Sequence, residues 1–365
     1  MPIYMDRHDV SETVTAENVA QIHQEDLKIQ DQYGCRGLTY WFDDKRKTAF
    51  CLIEAPNEKA IQKMHNKAHG QVPHHIIEVE TSIVESFLGR ISDPEKAKNS
   101  VLNIINDPAF RTIIMISLKR LSLKPNDMVQ FKSSWPDYNS AVLDLLKGYD
   151  GQVVNQSEGY FLASFKSVSN AVLAALDIQS LNEFRDDIDH NKLHLKIAIS
   201  AGVPVTERKL IFEDTLKSAE RMCEISKGEM IVSSEVKELY NSENSIPLKE
   251  NESLTLLTKA DEKFLNQLMD HLESVWNMTT LKVGEFYKPM GCSKSQFYRK
   301  MIDLMGATPN NFIKEYRLNK ALSLLNKGEY NISEIAHMTG FSSRSYFSKC
   351  FQNKYTQLPT NLKGR

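Results

Sequence analysis

The sequence predicts a multidomain α+β protein whose last third is entirely helical. The chain has 365 residues, which is more than one ordinary hydrophobic core contains, so we expect two or three domains. Short apolar runs typical of strands alternate with helical periods up to about residue 251. Beyond that point only helical periods occur, and one two-helix pattern occurs twice. We therefore predict domains at 1–82, 83–255 and 256–365.

The composition excludes several classes of protein. Hydrophobic content of 41% and charged content of 25% are typical of a soluble globular protein. The five cysteines have no regular spacing, which argues against a disulfide framework and predicts a cytoplasmic location. The N-terminus, MPIYMDRHDV, is charged where a signal peptide is apolar, and no apolar run is long enough to cross a membrane.

The charge is divided unevenly along the chain. From Asp261 onward there are 15 Lys and Arg against 9 Asp and Glu, a net charge of +6. The preceding residues carry 30 against 38, a net charge of −8. This division predicts that the C-terminal part meets a polyanion, although a solvated basic face would give the same counts.

The C-terminal part contains two copies of a helix-turn-helix pattern, VGEFYKPMGCSKSQFYRKM and ISEIAHMTGFSSRSYFSKC, at an offset of 49 residues. Gly291 and Gly340 permit the sharp turn, and Ser293 and Ser342 are predicted N-caps of the second helices. A longer amphipathic helix lies between the copies. The predicted buried side of the second helices is aromatic, consisting of Phe297, Tyr298, Tyr346 and Phe347. A helical bundle without a nucleic-acid role is the alternative, and the duplication makes it the weaker one.

This region, from about Lys263 to Arg365, resembles the DNA-binding domain of AraC/XylS-type transcription regulators. The resemblance implies two helix-turn-helix units joined by one helix, with each second helix in a major groove of double-stranded DNA. Pro289 interrupts the first helix of the first unit, so we expect that helix to be disturbed. The predicted DNA-contacting residues are Lys294, Gln296, Arg299, Ser343, Arg344 and Lys349.

The first domain contains six of the ten histidines. His65 and His69 are four residues apart on a predicted helix, a spacing at which two imidazoles can hold one metal ion. Asp6 and His8 share one side of a predicted strand. His23 lies three residues before Asp26 on another helix, and FCLIEAP adds Cys51 and Glu54. A small domain with ordinary surface histidines explains the spacing equally well.

The predicted order of elements in this domain is β-α-β-β-α-β, which indicates a ferredoxin-like fold. The segments YMDRH, AQIHQEDL, YWFDD, FCLIEAPNEKAI and HNKAHG resemble a family of small nickel-binding ferredoxin-like proteins. The resemblance implies a metal site, with nickel first and zinc or copper open. The predicted ligands are His8, His65 and His69, followed by His23.

The middle domain resembles the catalytic domain of class III adenylate/guanylate cyclases, from about Phe110 to Tyr240. That resemblance implies a cyclase-like α/β fold and two metal-binding aspartates. Leu118 occupies the first position, and Glu158 with Gly159 occupies the Gly-Asp pair of the second. Without those carboxylates a pair of divalent ions is not anchored, so we predict no enzymatic activity. The domain is then a dimerisation module, a ligand sensor or a structural spacer.

These observations together predict a DNA-binding transcription regulator whose upstream domains sense a metal ion or a small ligand. The alternatives are a nucleotidyl cyclase or a metal-handling protein with a DNA-binding appendage. A homodimer is expected by analogy with ferredoxin-like and cyclase-like domains. RNA polymerase is a further candidate partner.

Overall fold

The computed structural model describes residues 1–95, 102–120, 125–189, 193–227 and 229–362. Its N-terminal part is a four-stranded antiparallel sheet of order β2-β3-β1-β4, covered by two helices. Thr15 and Asn57 cap the two helices through their side chains, which explains where each begins. The predicted β-α-β-β-α-β order is confirmed, with β1 at Ile3–Asp9, α1 at Ala16–Ile29, β2 at Arg36–Asp43, β3 at Thr48–Glu54, α2 at Glu58–Ala68 and β4 at His75–Val79.

A second sheet of six strands forms the middle part, in the order β10-β9-β8-β5-β7-β6. β9 pairs in parallel with β8 and with β10, and the other pairs are antiparallel. The elements are α3 at Thr81–Leu88, β5 at Arg111–Arg120, α4 at Pro125–Gly148, β6 at Gln152–Ser157, β7 at Tyr160–Phe165, α5 at Val168–Asp189, β8 at Leu193–Gly202, α6 at Glu213–Ile225, β9 at Met230–Val232, α7 at Ser234–Glu243 and β10 at Leu254–Leu256.

The central strand β5 contributes to two hydrophobic cores because its side chains alternate between the faces of the sheet. Ile114 and Ile116 pack with residues of α4 and α5. Ile113 and Met115 belong to a core that extends from Trp41 of the first sheet to the C-terminal helices. The N-terminal sheet, the middle sheet and the first helices of the C-terminal part therefore share one apolar core.

The C-terminal part is helical, as predicted. It contains two helix-turn-helix units, α9–α10 and α12–α13, and the helix α11 joins them. The second unit has a separate core with the end of α11. The helices are α8 at Lys259–Val275, α9 at Gly284–Tyr287, α10 at Lys294–Met305, α11 at Pro309–Lys327, α12 at Ile332–Met338 and α13 at Arg344–Tyr355.

The two units do not keep the predicted register of 49 residues through their second helices. Ser293 caps α10, but Ser343 rather than Ser342 caps α13, with its hydroxyl accepting from the Tyr346 amide. The second turn is one residue longer, so positions in α10 and α13 correspond at an offset of 50. The prediction that Tyr346 is buried was therefore wrong, because Phe347 takes the place of Phe297 and Tyr346 is 52% exposed.

The expected effect of Pro289 is visible in the lengths of the two supporting helices. α9 has four residues and ends at Tyr287, two residues before the proline, whereas α12 has seven. A proline inside a helix removes an amide donor and clashes with the preceding turn. The first unit consequently has the shorter support for its second helix.

The turn glycines differ in what surrounds them. Gly291 and Gly340 have φ angles of +65° and +75°, a conformation that side chains other than glycine rarely adopt. Nothing lies within 4 Å of a Cβ placed on Gly291, but the Arg317 Cζ would be 2.8 Å from one on Gly340. The Arg317 guanidinium is fixed there by hydrogen bonds of 2.6 Å to the carbonyl oxygens of Trp276 and Met278.

Alanine substitution should separate these two turns. Gly291→Ala is expected to lower the free energy of unfolding by about 1 kcal/mol, the cost of placing a side chain in the left-handed region. Gly340→Ala is expected to cost at least about twice as much, because Arg317 must also leave its two carbonyl acceptors. Urea unfolding followed by circular dichroism and tryptophan fluorescence measures both. Equal losses would show that the Arg317 contact does not contribute to stability.

Candidate functional site

The first domain brings acidic side chains and histidines from three elements to one buried place. Asp6 and His8 come from β1, Asp26 from α1, and His65 from α2, while His69 is the residue immediately after α2. Asp26, His65 and His69 form one group of potential metal ligands, with donor atoms all within 4.8 Å of one another. Asp6, His8 and Cys51 form a second such group.

His65 connects the two groups. Its Nε2 lies 2.9 Å from Asp6 Oδ2, and its Nδ1 lies 3.0 Å from Asp26 Oδ2. The ring is 1% exposed. When both ring nitrogens of a histidine donate hydrogen bonds to carboxylates, both carry a proton. In the absence of metal, His65 is therefore held as the imidazolium.

His69 completes the first group. Its Nε2 is 3.2 Å from Asp26 Oδ1 and 3.1 Å from His65 Nδ1. Its Nδ1 accepts a hydrogen bond of 3.1 Å from the amide of Gln71, just beyond the end of α2. This bond fixes the ring of the metal-free protein with the Nε2 proton directed at Asp26; a metal ion at Nε2 would take the place of that proton.

The spacing of these donor atoms fits a transition metal ion. Metal–ligand bonds of about 2.0–2.2 Å in a tetrahedral site place neighbouring donors roughly 3.3 Å apart. With Oδ1 as the donor atom of Asp26, the separations among Asp26, His65 and His69 are 3.1–3.2 Å. One carboxylate and two imidazoles suit nickel, zinc or copper, and three protein donors leave a coordination position for another ligand.

The electrostatics of the metal-free cluster follow from burial and ion pairing. Burial alone would lower the pKa of His65, but its hydrogen bonds to Asp26 and Asp6 outweigh burial and raise that pKa to about 10. Burial would raise the pKa of Asp26, yet hydrogen bonds from His65 and His69 lower it below the usual value. Burial would likewise raise the pKa of Asp6, but the charge of His8 and the hydrogen bond from His65 lower it.

The second group is more deeply enclosed. The Cys51 amide donates to Asp6 Oδ1 at 3.0 Å, and His8 Nε2 lies 3.4 Å from the same oxygen. Within the described residues His8 Nε2 makes no hydrogen bond, although the atom is buried. Burial and the neighbouring carboxylates raise the pKa of the Cys51 thiol well above its usual range, so the metal-free thiol is protonated and inert.

His23 has a different environment from the other predicted ligands. Its Nε2 contacts Asp93 Oδ2 at 3.6 Å, and its ring lies 4.9 Å from that of Tyr40. The structure therefore brings His8, His65 and His69 into the cluster, while His23 lines the adjoining cavity and faces Asp93. Asp6, Asp26 and Cys51 also belong to the two groups, although the sequence pattern does not predict them as ligands. Glu54 lies outside both groups and forms an ion pair with Arg36.

The second helix of each helix-turn-helix unit presents a basic, exposed surface. All six predicted DNA-contacting residues are exposed. The corrected register pairs Lys294 with Arg344 and Arg299 with Lys349. Gln296 and Ser343 also take part in N-caps, since the Gln296 Oε1 accepts from the Ser293 amide at 2.9 Å. Tyr346, which corresponds to Gln296, is an exposed residue of this surface that the sequence analysis missed.

Leu118 and Gly159, the two positions that the cyclase resemblance assigns to metal-binding aspartates, are neighbours in the middle sheet. The Leu118 amide donates to the Gly159 carbonyl at 2.8 Å. A leucine and a glycine offer no carboxylate oxygen to a metal ion at these positions. Arg221 of α6 binds α8, with 2.8 Å to Asn266 Oδ1 and 2.5 Å to Asp270 Oδ1.

Two protein families match separate parts of the chain. Residues 4–79 match the family described as nickel responsive protein SCO4226-like, and residues 288–365 match a helix-turn-helix domain family. The first match spans the whole N-terminal sheet, and the second spans α10 to the C-terminus. The chain thus combines an SCO4226-like domain with an AraC-type helix-turn-helix domain.

Curated relatives match parts of the chain. Histidine kinase P4 from Formosa agariphila is 34% identical over 109 residues, which are 30% of this chain and 8% of that protein. The urease operon transcriptional activator from Escherichia coli is 21% identical over 252 residues, 61% of this chain and 83% of the activator. For the kinase and three other relatives, the chain spans 8 to 40% of the relative's length.

Solved structures align with individual parts of the chain. SCO4226 from Streptomyces coelicolor A3(2) aligns at 31% identity over 21% of this chain and 94% of that chain, with a TM-score of 0.20. The adenylate/guanylate cyclase/hydrolase from Silicibacter pomeroyi aligns at 22% identity over 39% of this chain and 85% of that chain, with a TM-score of 0.33.

No helix in the described ranges is long and apolar enough to span a membrane.

Raising the pH is expected to destabilise the metal-free protein. The pKa of His65 is about 10 in the folded chain against 6.5 for an unperturbed histidine. Its ion pairs therefore contribute fully below pH 6.5, and this contribution is lost as the pH rises through 10. Urea unfolding in EDTA between pH 6 and 10.5 should show a falling midpoint. The decrease of the urea midpoint with pH should be the same in His75→Gln as in the parent and smaller in His65→Gln. An equal decrease in all three proteins would contradict the assignment of this pH dependence to His65.

Proposed function

We propose that the chain is a metal-responsive transcription regulator that binds specific sites on double-stranded DNA. The observation that carries the proposal is the buried group of Asp26, His65 and His69, located on the same chain as two helix-turn-helix units. Buried histidines and carboxylates at metal-ligand spacing are costly in a structural core, which favours a binding role. Nickel is the first choice of metal, because of the family matched by residues 4–79.

DNA binding would use α10 and α13. These helices belong to two units joined by α11, and their exposed surfaces carry Lys294, Arg299, Arg344 and Lys349. Helices of this kind enter successive major grooves about 34 Å apart. Arginine can read guanine through two hydrogen bonds, and lysine contacts phosphates as a point charge.

The metal would act on DNA binding through the shared core. Metal ligation can shift the regulator only if its two states bind metal with different affinities. The first sheet and the helices α8–α10 belong to one apolar core, and Arg221 fixes α6 to α8. The helices α1 and α2 pack on the opposite face of the first sheet, in a separate core, so a change at either helix would reach the first DNA-binding unit through the strands of that sheet.

The proposal includes no enzymatic step. Leu118 and Gly159 cannot hold the metal pair of a cyclase, and incubation with ATP or GTP and manganese is expected to yield no cyclic nucleotide. The proposed domains are residues 1–82, 83–255 and 256–365. We propose that the chain acts as a homodimer in the cytoplasm and that RNA polymerase is a further partner. Sedimentation of the purified chain tests the dimer.

Removing two ligands should abolish metal binding and the response of DNA binding to metal. The double variant His65→Ala/His69→Ala is expected to lose bound nickel in elemental analysis after dialysis. In gel-shift titrations on the chain's own promoter fragment, its DNA affinity should be the same with and without nickel. The matched control His74→Ala/His75→Ala alters two histidines outside the cluster and should retain both properties. Equal metal content in the two double variants would remove the site assignment.

Two substitutions in α13 should distinguish residues that read the base sequence from residues that contribute general affinity for DNA. Arg344→Ala is expected to weaken binding to the specific site by about 1–3 kcal/mol. It should therefore lower the ratio of the affinity for that site to the affinity for random DNA. Lys349→Ala should weaken all sequences alike and reduce the slope of log affinity against log salt by about 1. Lys327→Ala, the same charge change outside α10 and α13, serves as the control. Unchanged specificity in Arg344→Ala would show that α13 does not read bases there.

A further inference from the structure

A cavity of about 250 Å³ adjoins the histidine cluster. One part of its wall consists of His8, Cys51 and the three ligands Asp26, His65 and His69. The remaining wall is largely apolar and consists of Val10, Val14, Val19, Ile22 and Ala49, together with the ring of His23. The exposed residues Asp9, Ser11 and Gln71 lie at its rim.

The two kinds of wall lie at opposite ends of the cavity, as α1 shows. Val19, Ile22, His23 and Asp26 line the cavity at helical positions i, i+3, i+4 and i+7, which form one face of the helix. At 1.5 Å per residue this face extends about 10 Å from the apolar end to the carboxylate. The cavity is therefore elongated and graded in polarity along α1.

The sheet repeats the same gradient. In the antiparallel register of β1 and β3, Asp6 is opposite Cys51, and His8 is opposite Ala49. Val10 follows two residues after His8, roughly 7 Å further along the chain direction. The ligand-bearing level of the sheet thus corresponds to the Asp26 end of α1, and the Val10 level corresponds to the Val19 end.

A metal ion alone does not account for this space. An ion held by Asp26, His65 and His69 occupies only the polar end, and in five-coordinate geometry it leaves two coordination positions for the donors of another ligand. Ordered water filling the rest would need two to four polar partners per molecule, which valine and isoleucine side chains cannot supply. The volume lies just below the range of about 300–1,000 Å³ typical of ligand pockets, which indicates a small molecule.

We infer that the site binds its metal together with a small organic co-ligand that has an oxygen or nitrogen donor head and a short hydrocarbon body. The head completes the coordination of the metal, and the body lies among Val14, Val19 and Ile22. The regulator then responds to a metal–chelator pair. This inference rests on the proposed metal site and specifies what else that site recognises.

Alkyl hydroxamates test the inference on the full-length, nickel-loaded chain. Acetohydroxamate and hexanohydroxamate have the same chelating head and differ only in the hydrocarbon. Isothermal titration gives each affinity, and elemental analysis after the titration gives the retained nickel. Each methylene buried at the apolar end is expected to tighten binding about fourfold. Hexanohydroxamate should therefore bind at least about tenfold tighter than acetohydroxamate.

Filling the apolar end should remove this preference without removing the metal. Val19→Phe is expected to retain nickel and to bind the two hydroxamates with equal affinity. Val14→Phe, at a half-buried position in the loop before α1, provides the same test if Val19→Phe fails to fold. Ile83→Phe makes a comparable change on the exposed surface of α3 and should keep the parent's preference.

The outcomes separate this inference from the proposed function. Retained nickel with equal affinity of the parent for both hydroxamates would overturn the organic co-ligand and leave the metal site intact. A preference for hexanohydroxamate that persists in both filled variants would overturn the location of its binding. A parent that retains no nickel after dialysis would overturn the metal site and the co-ligand with it.

Discussion

The ion pairs of His65 are the interaction on which the N-terminal domain depends. This one ring joins β1 through Asp6, α1 through Asp26 and its own helix α2. Buried carboxylates without a counter-charge would be strongly destabilising, so the imidazolium and the two acids must be present together. A metal ion bound at Nδ1 takes the place of the proton there, which makes this the point where metal binding and folding meet.

The other parts of the chain are joined to this domain by packing rather than by flexible connections alone. One apolar core runs from Trp41 through Met115 to Phe286. At its far side the guanidinium of Arg221 binds α8, and the Asn319 amide of α11 donates to Glu224 at 2.8 Å. Arg221 thereby holds α8, the helix that precedes the first helix-turn-helix unit, whereas the second unit has a core of its own.

The two helix-turn-helix units illustrate how far the sequence could predict the structure. The glycine turns, the helices and the exposure of all six proposed DNA contacts followed from local pattern, because caps and helical periods are short-range properties. The correspondence within the second helices did not follow, since one additional residue in the second turn moved the cap to Ser343. An aromatic residue fits either face of a helix. Only the tertiary structure, in which Phe347 packs against Phe351, identified Phe347 as buried and Tyr346 as exposed.

The sequence by itself determined the order of elements, the ferredoxin-like and helix-turn-helix patterns, and the crowding of histidines in the first domain. Each of these depends on residues that are near one another along the chain. Only the tertiary structure decided which side chains meet, because Asp6, Asp26 and His65 lie on three elements and their distances depend on strand register and helix docking. For the same reason, only the tertiary structure separated His23 from the ligand group. It also revealed the cavity beside that group, because residue spacing along the chain carries no information about empty space.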